Sequence, residues 1–216
     1  MTILRADAPL KIDGPSLLFR ELESRLSGDD FYISGLEPFE QWSYVDDPYL
    51  MADTHLSATG AQSVFAHIAA RIDSQLVPVI NAIRMDEVRY AAGDLTERFG
   101  LPIHSRIVEP SEAQVSAYGA GLTMVEKHFP PKGSIGRRFR WVNATAPSEI
   151  KVLVFGNSFF SIGDFPGLLS WWGKYFFSEF HFHWGPDVDW DLVDELHPDI
   201  VIGQTVERFL GRAAEA

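Results

Sequence analysis

A serine and a histidine–carboxylate pair are the residues of this sequence best suited to covalent catalysis. Asp53 and His55 are separated by one residue, so the carboxylate can reach the imidazole. Ser158 comes two residues after Gly156, which ends an apolar run. A serine hydroxyl needs a base to remove its proton, and that base works best when a carboxylate fixes its tautomer. On spacing alone, however, Ser158 is more typical of an ordinary turn after a strand than of a nucleophile.

A hydrolytic metal site is a second interpretation. His181 and His183 alternate on one face of a predicted strand, as paired zinc ligands would, and Asp53 and His55 could complete the site. The simpler interpretation places the two later histidines on the more polar face of a half-buried strand. We favour it because the opposite face of that strand is clearly apolar.

An aromatic-rich region follows Ser158 and offers a surface for stacking on a sugar. Trp171 and Trp172 are adjacent, so on a helix both cannot face the same way, and one of them is expected to be exposed near Ser158. Burial in the core is the alternative, and it is favoured equally. The aromatic residues of the region are Trp171, Trp172, Tyr175, Phe176, Phe177, Phe180, Phe182, Trp184 and Trp190.

Hydrophobic patterning predicts helices and short strands in the first two thirds of the chain. Ser57 is a good N-cap for a helix that continues to Ile72. A basic patch at residues 137–141 is interpreted as a solvated strand face rather than a site. Residues 29–52 are predicted to be loop with short strands. The remaining elements predicted here are helices at 15–26 and 88–101 and strands at 103–109 and 122–128.

The last third alternates strands and helices, which is typical of a parallel sheet covered by helices. The sequence therefore predicts a three-layer α/β/α, flavodoxin-like domain with a central, mainly parallel sheet. We expect one domain over residues 1–216, with a loose segment at 1–14. The predicted elements are a buried strand at 151–156, a helix at 166–177, a strand through 180–184, a helix at 189–196 and a buried strand at 198–204.

Composition excludes several classes of partner and site. The formal net charge of −12 argues against nucleic acid, whose phosphates require a basic surface. The absence of cysteine excludes disulfides and thiolate metal sites. No run of about 18 apolar residues predicts a membrane span. Residues 1–10 contain no apolar stretch typical of a signal peptide, so a cytoplasmic location is expected if the chain is complete.

Several motifs, in order, resemble one family. They are Asp53-Thr54-His55, Gly93-Asp94-Leu95, the segment from Val152 to Ser158, Pro198-Asp199-Ile200, and Glu207-Arg208. In this order they resemble the SGNH-hydrolase-like domain of the alginate O-acetyltransferases of the AlgX/AlgJ type. The resemblance covers the chain from about residue 44 to its end.

The resemblance implies that Ser158 is the nucleophile, His55 the general base and Asp53 its orienting carboxylate. It also implies a circularly permuted relative of ordinary SGNH hydrolases that needs no cofactor and no metal. Such a protein moves acetyl groups onto an exported polysaccharide in the periplasm, with the donor supplied by a membrane-bound acyltransferase. Candidates for holding the oxyanion or the substrate are Asn157, Asn143, Phe159, Arg208, Trp171 and Trp172.

Two positions depart from the family pattern beside the expected triad. Asn157 stands where the family often has aspartate, and Leu56 stands where tryptophan commonly follows the histidine. These departures motivate an alternative function, a non-catalytic carbohydrate-binding or scaffold domain that retains the fold.

Overall fold

The computed structural model describes residues 16–40, 42, 47–51, 53–100 and 102–210, apart from the side chain of Arg208. The helices are α1 Leu17–Leu26, α2 Ala58–Ile72, α3 Leu76–Asn81, α4 Asp94–Phe99, α5 Glu112–Gly119, α6 Leu169–Phe176 and α7 Trp190–Leu196. The strands are β1 Glu87–Ala91, β2 Ser105–Glu109, β3 Leu122–His128, β4 Arg138–Asn143, β5 Ser148–Gly156, β6 Phe177–Trp184 and β7 Ile200–Gly203. Short 3₁₀ turns form at Glu37–Phe39 and Glu207–Phe209.

Two units make up the chain, one of Met1–Ser34 with Thr205–Ala216 and one of Gly35–Gln204. In the first, the Ser16 side chain caps α1 and its backbone N–H donates to Glu207 Oε1 over 2.5 Å. The second contains both sheets. A single domain over residues 1–216 stays a prediction, and the loose segment predicted at 1–14 lies outside the described residues. No helix among the described residues combines the length and apolar character needed to cross a bilayer.

The larger sheet is mixed, in the order β3-β4-β6-β5-β7. β5 pairs in parallel with both β6 and β7, whereas β4 pairs antiparallel with β3 and with β6. The predicted mainly parallel sheet is therefore correct for the last three strands only. β3 and β4 form a hairpin joined by residues 129–137, and a hairpin imposes antiparallel pairing.

Helices cover both faces of this sheet, as the alternation of buried strands and helices predicts. On one face Phe65 of α2 packs against Trp172 of α6, with ring centroids 6.2 Å apart. On the other face Leu192 of α7 packs with Leu153 and Phe155 of β5. β5 is buried on both faces because it lies between β6 and β7, which explains its uninterrupted apolar run.

The connections that follow β5 and β6 leave the sheet toward opposite faces. β5 leads into α6 on one face, and its neighbour β6 leads into α7 on the other. Open α/β sheets bind ligands in the crevice where adjacent strands diverge in this way. The register places Gly156 and Trp184, the ends of these two strands, directly opposite each other. The crevice therefore opens immediately before Ser158.

A second, two-stranded sheet corrects one prediction. The pattern predicts one helix over residues 88–101, but Glu87–Ala91 is a strand that pairs antiparallel with Ser105–Glu109. Only Asp94–Phe99 is helical, and it ends at Gly100, whose φ is +62°. Val88 and Tyr90 favour extended backbone, and the hydrogen bonds to the neighbouring strand stabilise that conformation. The pattern does not predict helices α3 and α5.

The segment that carries Asp53 and His55 is a narrow loop. The backbone N–H of Leu50 donates to the His55 carbonyl oxygen over 3.2 Å, and an isolated bridge joins Tyr49 to Leu56. Ser57 then caps α2 as predicted, accepting from the N–H of Gly60 over 3.0 Å. The loop is thus fixed by backbone hydrogen bonds on one side and by a helix N-terminus on the other.

Gly167 lets the loop after Ser158 approach the loop after His55. A Cβ atom at Gly167 would overlap the carbonyl oxygen of Leu56 and the ring of Phe165. The Leu56 carbonyl is backbone and follows His55 directly, so it cannot move aside without displacing the histidine. Only glycine therefore permits this contact between the two loops.

We expect Gly167→Ala to lower the free energy of unfolding by about 1–3 kcal/mol, because the added methyl group forces the two loops apart. Chemical denaturation measures the loss. Gly203→Ala is the matched control, since a Cβ atom there meets no atom within 4 Å. Equal stability of the two variants would contradict the proposed packing.

Candidate active site

An open depression of about 370 Å³ lies at the crevice between the ends of β5 and β6. It brings together Asp53, His55 and Ser158, although about 100 residues separate the serine from the other two in the sequence. The side chains lining the depression are Asp53, His55, Arg137, Ser158, Ser161, Asp164, Phe165, Leu168 and Trp184.

Asp53 and His55 form the expected carboxylate–imidazole pair. Asp53 Oδ1 lies 2.8 Å from His55 Nδ1 and also accepts the backbone N–H of His55 over 2.8 Å. An ionised carboxylate can only accept, so it favours the tautomer with the proton on Nδ1. The other ring nitrogen, Nε2, is then free to act as a base.

The Asp53 carboxylate is itself positioned by the start of α4. Its Oδ2 accepts the backbone N–H of Asp94 over 3.0 Å. In return, the Asp94 carboxylate accepts the backbone N–H and the hydroxyl of Thr54, over 2.9 Å and 2.6 Å. Residue spacing gives no indication of the Asp94 contact, and the Gly93-Asp94-Leu95 motif is its only signal in the sequence.

These contacts control the charge of Asp53. Burial acts to raise the pKa of the Asp53 carboxyl, but the hydrogen bonds from the His55 ring and from the N–H groups of Asp94 and His55 outweigh it. The pKa of Asp53 is therefore lowered from its ordinary value, and the carboxylate stays ionised beside the imidazole.

Ser158 lies in a tight turn that begins where β5 ends. Asn157 Oδ1 accepts the backbone N–H of Phe159 over 3.2 Å, and the Asn157 carbonyl accepts the N–H of Phe160 over 3.1 Å. The Asn157 N–H donates to the Gln204 side chain over 3.1 Å. Asn157 therefore closes the turn, and either aspartate or asparagine can close such a turn.

Phe159 brings the serine turn against the histidine. The ring centroids of His55 and Phe159 lie 6.0 Å apart, so the residue next to Ser158 packs on the imidazole. Within the described part of the chain, the Ser158 hydroxyl and the His55 ring are not hydrogen-bonded to each other. Catalytic hydrogen bonds are commonly loose without ligand and tighten in the reacting complex.

The loop that follows Ser158 has unusual backbone conformations. Ser161, which lines the depression, has a φ of +46°, a region that L-residues seldom adopt. Gly163 has a φ of +63°, and a Cβ atom there would lie 2.7 Å from the backbone nitrogen of Trp171. Lys174 Nζ donates to the Gly163 carbonyl over 2.5 Å. Burial lowers the pKa of Lys174 to about 8, although the charge of Asp164 opposes the shift.

Three of the other residues expected near the substrate lie elsewhere. Both Trp171 and Trp172 are buried, which agrees with the alternative of burial in the core and not with an exposed ring near Ser158. Trp172 Nε1 donates to the Pro166 carbonyl over 2.8 Å, and its ring packs in the core. The Asn143 amide donates to the carbonyls of Tyr118, Lys174 and Tyr175, which leaves it no free donor. The side chain of Arg208, also a candidate, lies outside the described residues.

The lining of the depression includes an arginine that the sequence pattern does not assign to a site. The local pattern places Arg137 on a solvated strand face, but it lines the depression beside Trp184. The backbone N–H of Trp184 donates to the Arg137 carbonyl over 2.8 Å. Because β4 runs antiparallel to β6, the start of β4 lies beside the end of β6. No local pattern could have shown this pairing.

The two histidines of β6 do not join Asp53 and His55. His181 and His183 lie against α7, in a small cleft that Leu192 and Leu196 also line. Burial lowers the pKa of both imidazoles. They therefore occupy the more polar face of a half-buried strand, as the simpler interpretation predicts.

Among the described residues, the ligand atoms of Asp53, His55 and Asp94 lie within 4.8 Å of one another. This is close enough to hold a metal ion in principle. However, the Asp53–His55 contact and the two Asp94–Thr54 hydrogen bonds already engage these side chains. These hydrogen bonds explain the proximity of Asp53, His55 and Asp94 as a network that orients the imidazole.

A scan against models of known protein families gives no match, and a search of curated proteins gives none either. Solved structures give distant similarities. Bacillus cereus PatB1 aligns with a TM-score of 0.48, 12% identity, and coverage of 82% of this chain and 69% of that one. A DHHW family protein from Eubacterium siraeum DSM 15702 aligns with a TM-score of 0.47 and 10% identity over 76% of this chain.

PatB1 with a sulfonyl adduct aligns with a TM-score of 0.47 and 11% identity over 76% of this chain. The present chain spans 61% of the DHHW family protein and 62% of the adduct structure.

We expect Asp53→Asn to lower the free energy of unfolding at pH 7 by about 1–3 kcal/mol, because three donors lose a charged acceptor. The lowered pKa of Asp53 stabilises the fold above the unfolded value of about 3.9 and stops doing so as the pH falls through the folded value. The stability difference between wild type and variant should therefore shrink in acid. Denaturation between pH 7 and pH 2 measures it.

Asp187→Asn is the control, because the exposed Asp187 side chain makes no hydrogen bond or ion pair to any described residue. A difference for Asp53→Asn that stayed constant with pH would show that its effect does not depend on the ionised carboxylate.

Proposed function

We propose that this chain is a serine-dependent carbohydrate O-acetyltransferase or acetylesterase, with Ser158, His55 and Asp53 as its triad. The observation that carries the proposal is that the Asp53–His55 pair, joined over 2.8 Å, lines the same depression as Ser158. The depression lies where adjacent strand connections diverge, the position at which α/β sheets bind ligands.

The reaction begins when His55 Nε2 removes the hydroxyl proton of Ser158 as its oxygen attacks the carbonyl carbon of an acetyl ester. The tetrahedral intermediate collapses, the C–O bond to the leaving alkoxide breaks, and the imidazolium returns the proton to that alkoxide. A sugar hydroxyl or water then gives its proton to His55 and attacks the acetyl-serine. The Ser158 oxygen leaves and recovers the proton. Throughout, Asp53 stabilises the imidazolium without itself becoming protonated.

Backbone N–H groups of the serine turn are the donors we assign to the oxyanion. The Ser158 N–H donates to no acceptor among the described residues, so it is available to a developing negative charge. The Phe159 N–H is held by Asn157 Oδ1 over 3.2 Å, a long hydrogen bond that a substrate oxyanion can replace. Such fixed dipoles need no reorganisation when the charge forms.

The finer features of the proposal come from the family resemblance. They are a three-layer, circularly permuted SGNH-hydrolase-like arrangement, a polysaccharide acceptor and an acetyl donor delivered by a membrane-bound acyltransferase. Transfer and hydrolysis share the acetyl-serine and differ in whether a sugar hydroxyl or water reaches it. An open depression admits both.

A non-catalytic carbohydrate-binding domain is the second candidate. It is favoured by one observation, that the Ser158 hydroxyl and the His55 ring are not hydrogen-bonded among the described residues. Such a domain binds glycan but forms no acyl-enzyme. An acetylated Ser158 in the mass spectrum after incubation with an acetyl donor would eliminate it.

We expect wild-type protein to react with a fluorophosphonate at Ser158 and to hydrolyse p-nitrophenyl acetate. Ser158→Ala should abolish labelling and lower the hydrolysis rate on the order of 10³-fold or more, because the nucleophilic oxygen is lost. Mass spectrometry and absorbance at the nitrophenolate band provide the measurements.

Ser161→Ala is the matched control, because it removes another hydroxyl from the same depression. It should retain labelling at Ser158 and most of the hydrolysis. Equal turnover by wild type and Ser158→Ala would refute the assignment of the nucleophile.

A further inference from the structure

The side chain of Arg137 is held between two aromatic rings at the edge of the depression. Its guanidinium carbon lies 5.3 Å from the ring centroid of Trp184 and 5.5 Å from that of Phe129. One terminal nitrogen donates to the Gly133 carbonyl over 3.5 Å, which is a weak contact. Its Nε is buried and has no hydrogen-bond partner among the described residues. The rings therefore orient the cation without neutralising it.

The neighbouring arginines of β4, unlike Arg137, each form an ion pair with a glutamate. Arg138 Nε lies 3.3 Å from Glu126, and an Arg140 terminal nitrogen lies 2.9 Å from Glu179. Arg137 forms no ion pair with any described carboxylate. Of these three arginines, the one that lines the depression is thus the one that lacks an acidic partner in the described part of the chain.

The other charged groups of the depression do not supply that partner. The Asp53 carboxylate is engaged by His55 and by the Asp94 N–H. Asp164 is exposed and makes no ion pair with Arg137. A half-buried guanidinium with an unsatisfied nitrogen is costly by itself, and an anion at this point would offset the cost.

We propose that Arg137 binds a carboxylate carried by the substrate, beside the acetyl group that Ser158 attacks. The substrate half of this inference rests on the proposed function, whereas the anion-binding half does not. A guanidinium presents two parallel N–H donors that match the two oxygens of a carboxylate, and stacking on Trp184 fixes their plane. The site therefore selects acidic over neutral esters or acceptors.

A matched pair of esters tests the inference. 4-Acetoxybenzoate and its methyl ester present the same acetyl group and differ in one negative charge. Arg137→Gln should reduce kcat/KM for the acid about 10- to 100-fold, the range expected for loss of a charged hydrogen-bonded pair, and leave the methyl ester nearly unchanged. Arg137→Lys should recover only part of the loss, because lysine keeps the positive charge but lacks the two parallel N–H donors of a guanidinium.

Arg138→Gln is the control, since Arg138 is adjacent in sequence but faces Glu126 and the cleft of His181. It should leave the preference for the acid unchanged. An equal loss for both esters in Arg137→Gln, or an equal effect of both substitutions on the preference, would overturn the inference.

A second arm locates the carboxylate on the donor or the acceptor. With p-nitrophenyl acetate as a neutral donor, acetyl transfer to glucuronic acid is compared with transfer to glucose. Loss of the preference for glucuronic acid in Arg137→Gln assigns the carboxylate to the acceptor. Loss confined to 4-acetoxybenzoate assigns it to the donor. No loss in either arm refutes the inference.

Binding without turnover separates this inference from the proposed function. Titration of wild type and Arg137→Gln with benzoate and with neutral benzamide, followed by ligand NMR, needs no chemistry. Selective benzoate binding that requires Arg137, in a protein that turns over no ester, would support the anion site and refute the esterase. Ester turnover without preferential binding of benzoate would support the esterase and refute the anion site.

Discussion

The Asp53 carboxylate is the interaction on which the candidate site depends. One of its oxygens holds the His55 ring and backbone, and the other accepts the N–H of Asp94 at the start of α4. The carboxylate therefore joins the histidine loop to a helix that lies about 40 residues further along the chain. Because these donors lower its pKa, the group that orients the imidazole is also the group that stays charged beside it.

Close backbone approach provides the second constraint. The serine turn ends a strand of the central sheet, whereas the histidine loop precedes α2, so nothing in the secondary structure alone forces them together. Gly167 has no side chain to separate the two loops, and the ring of Phe159 packs against the imidazole of His55. The left-handed conformation of Ser161 belongs to the same loop, and strained backbone of this kind is concentrated at functional sites.

The mixed topology of the sheet explains why the side chain of Arg137 lies at the site. The hairpin of β3 and β4 adds to β6 in the antiparallel direction, so the beginning of β4 meets the end of β6. Arg137 and Trp184 are therefore neighbours at the crevice, although they lie 47 positions apart in the chain. In a sheet with only parallel strands, that position would be occupied by the end of another strand and its loop.

The sequence by itself determined the elements with strong patterns and the residues capable of chemistry. The buried strand before Ser158, the helix capped by Ser57 and the carboxylate–imidazole pair all follow from local spacing, because each depends on contacts within a few residues. The burial of Trp172, the strand at Glu87–Ala91 and the place of Arg137 were decided by tertiary structure. Each depends on packing or pairing with a segment distant in the chain, and the local sequence pattern does not indicate which segment that is.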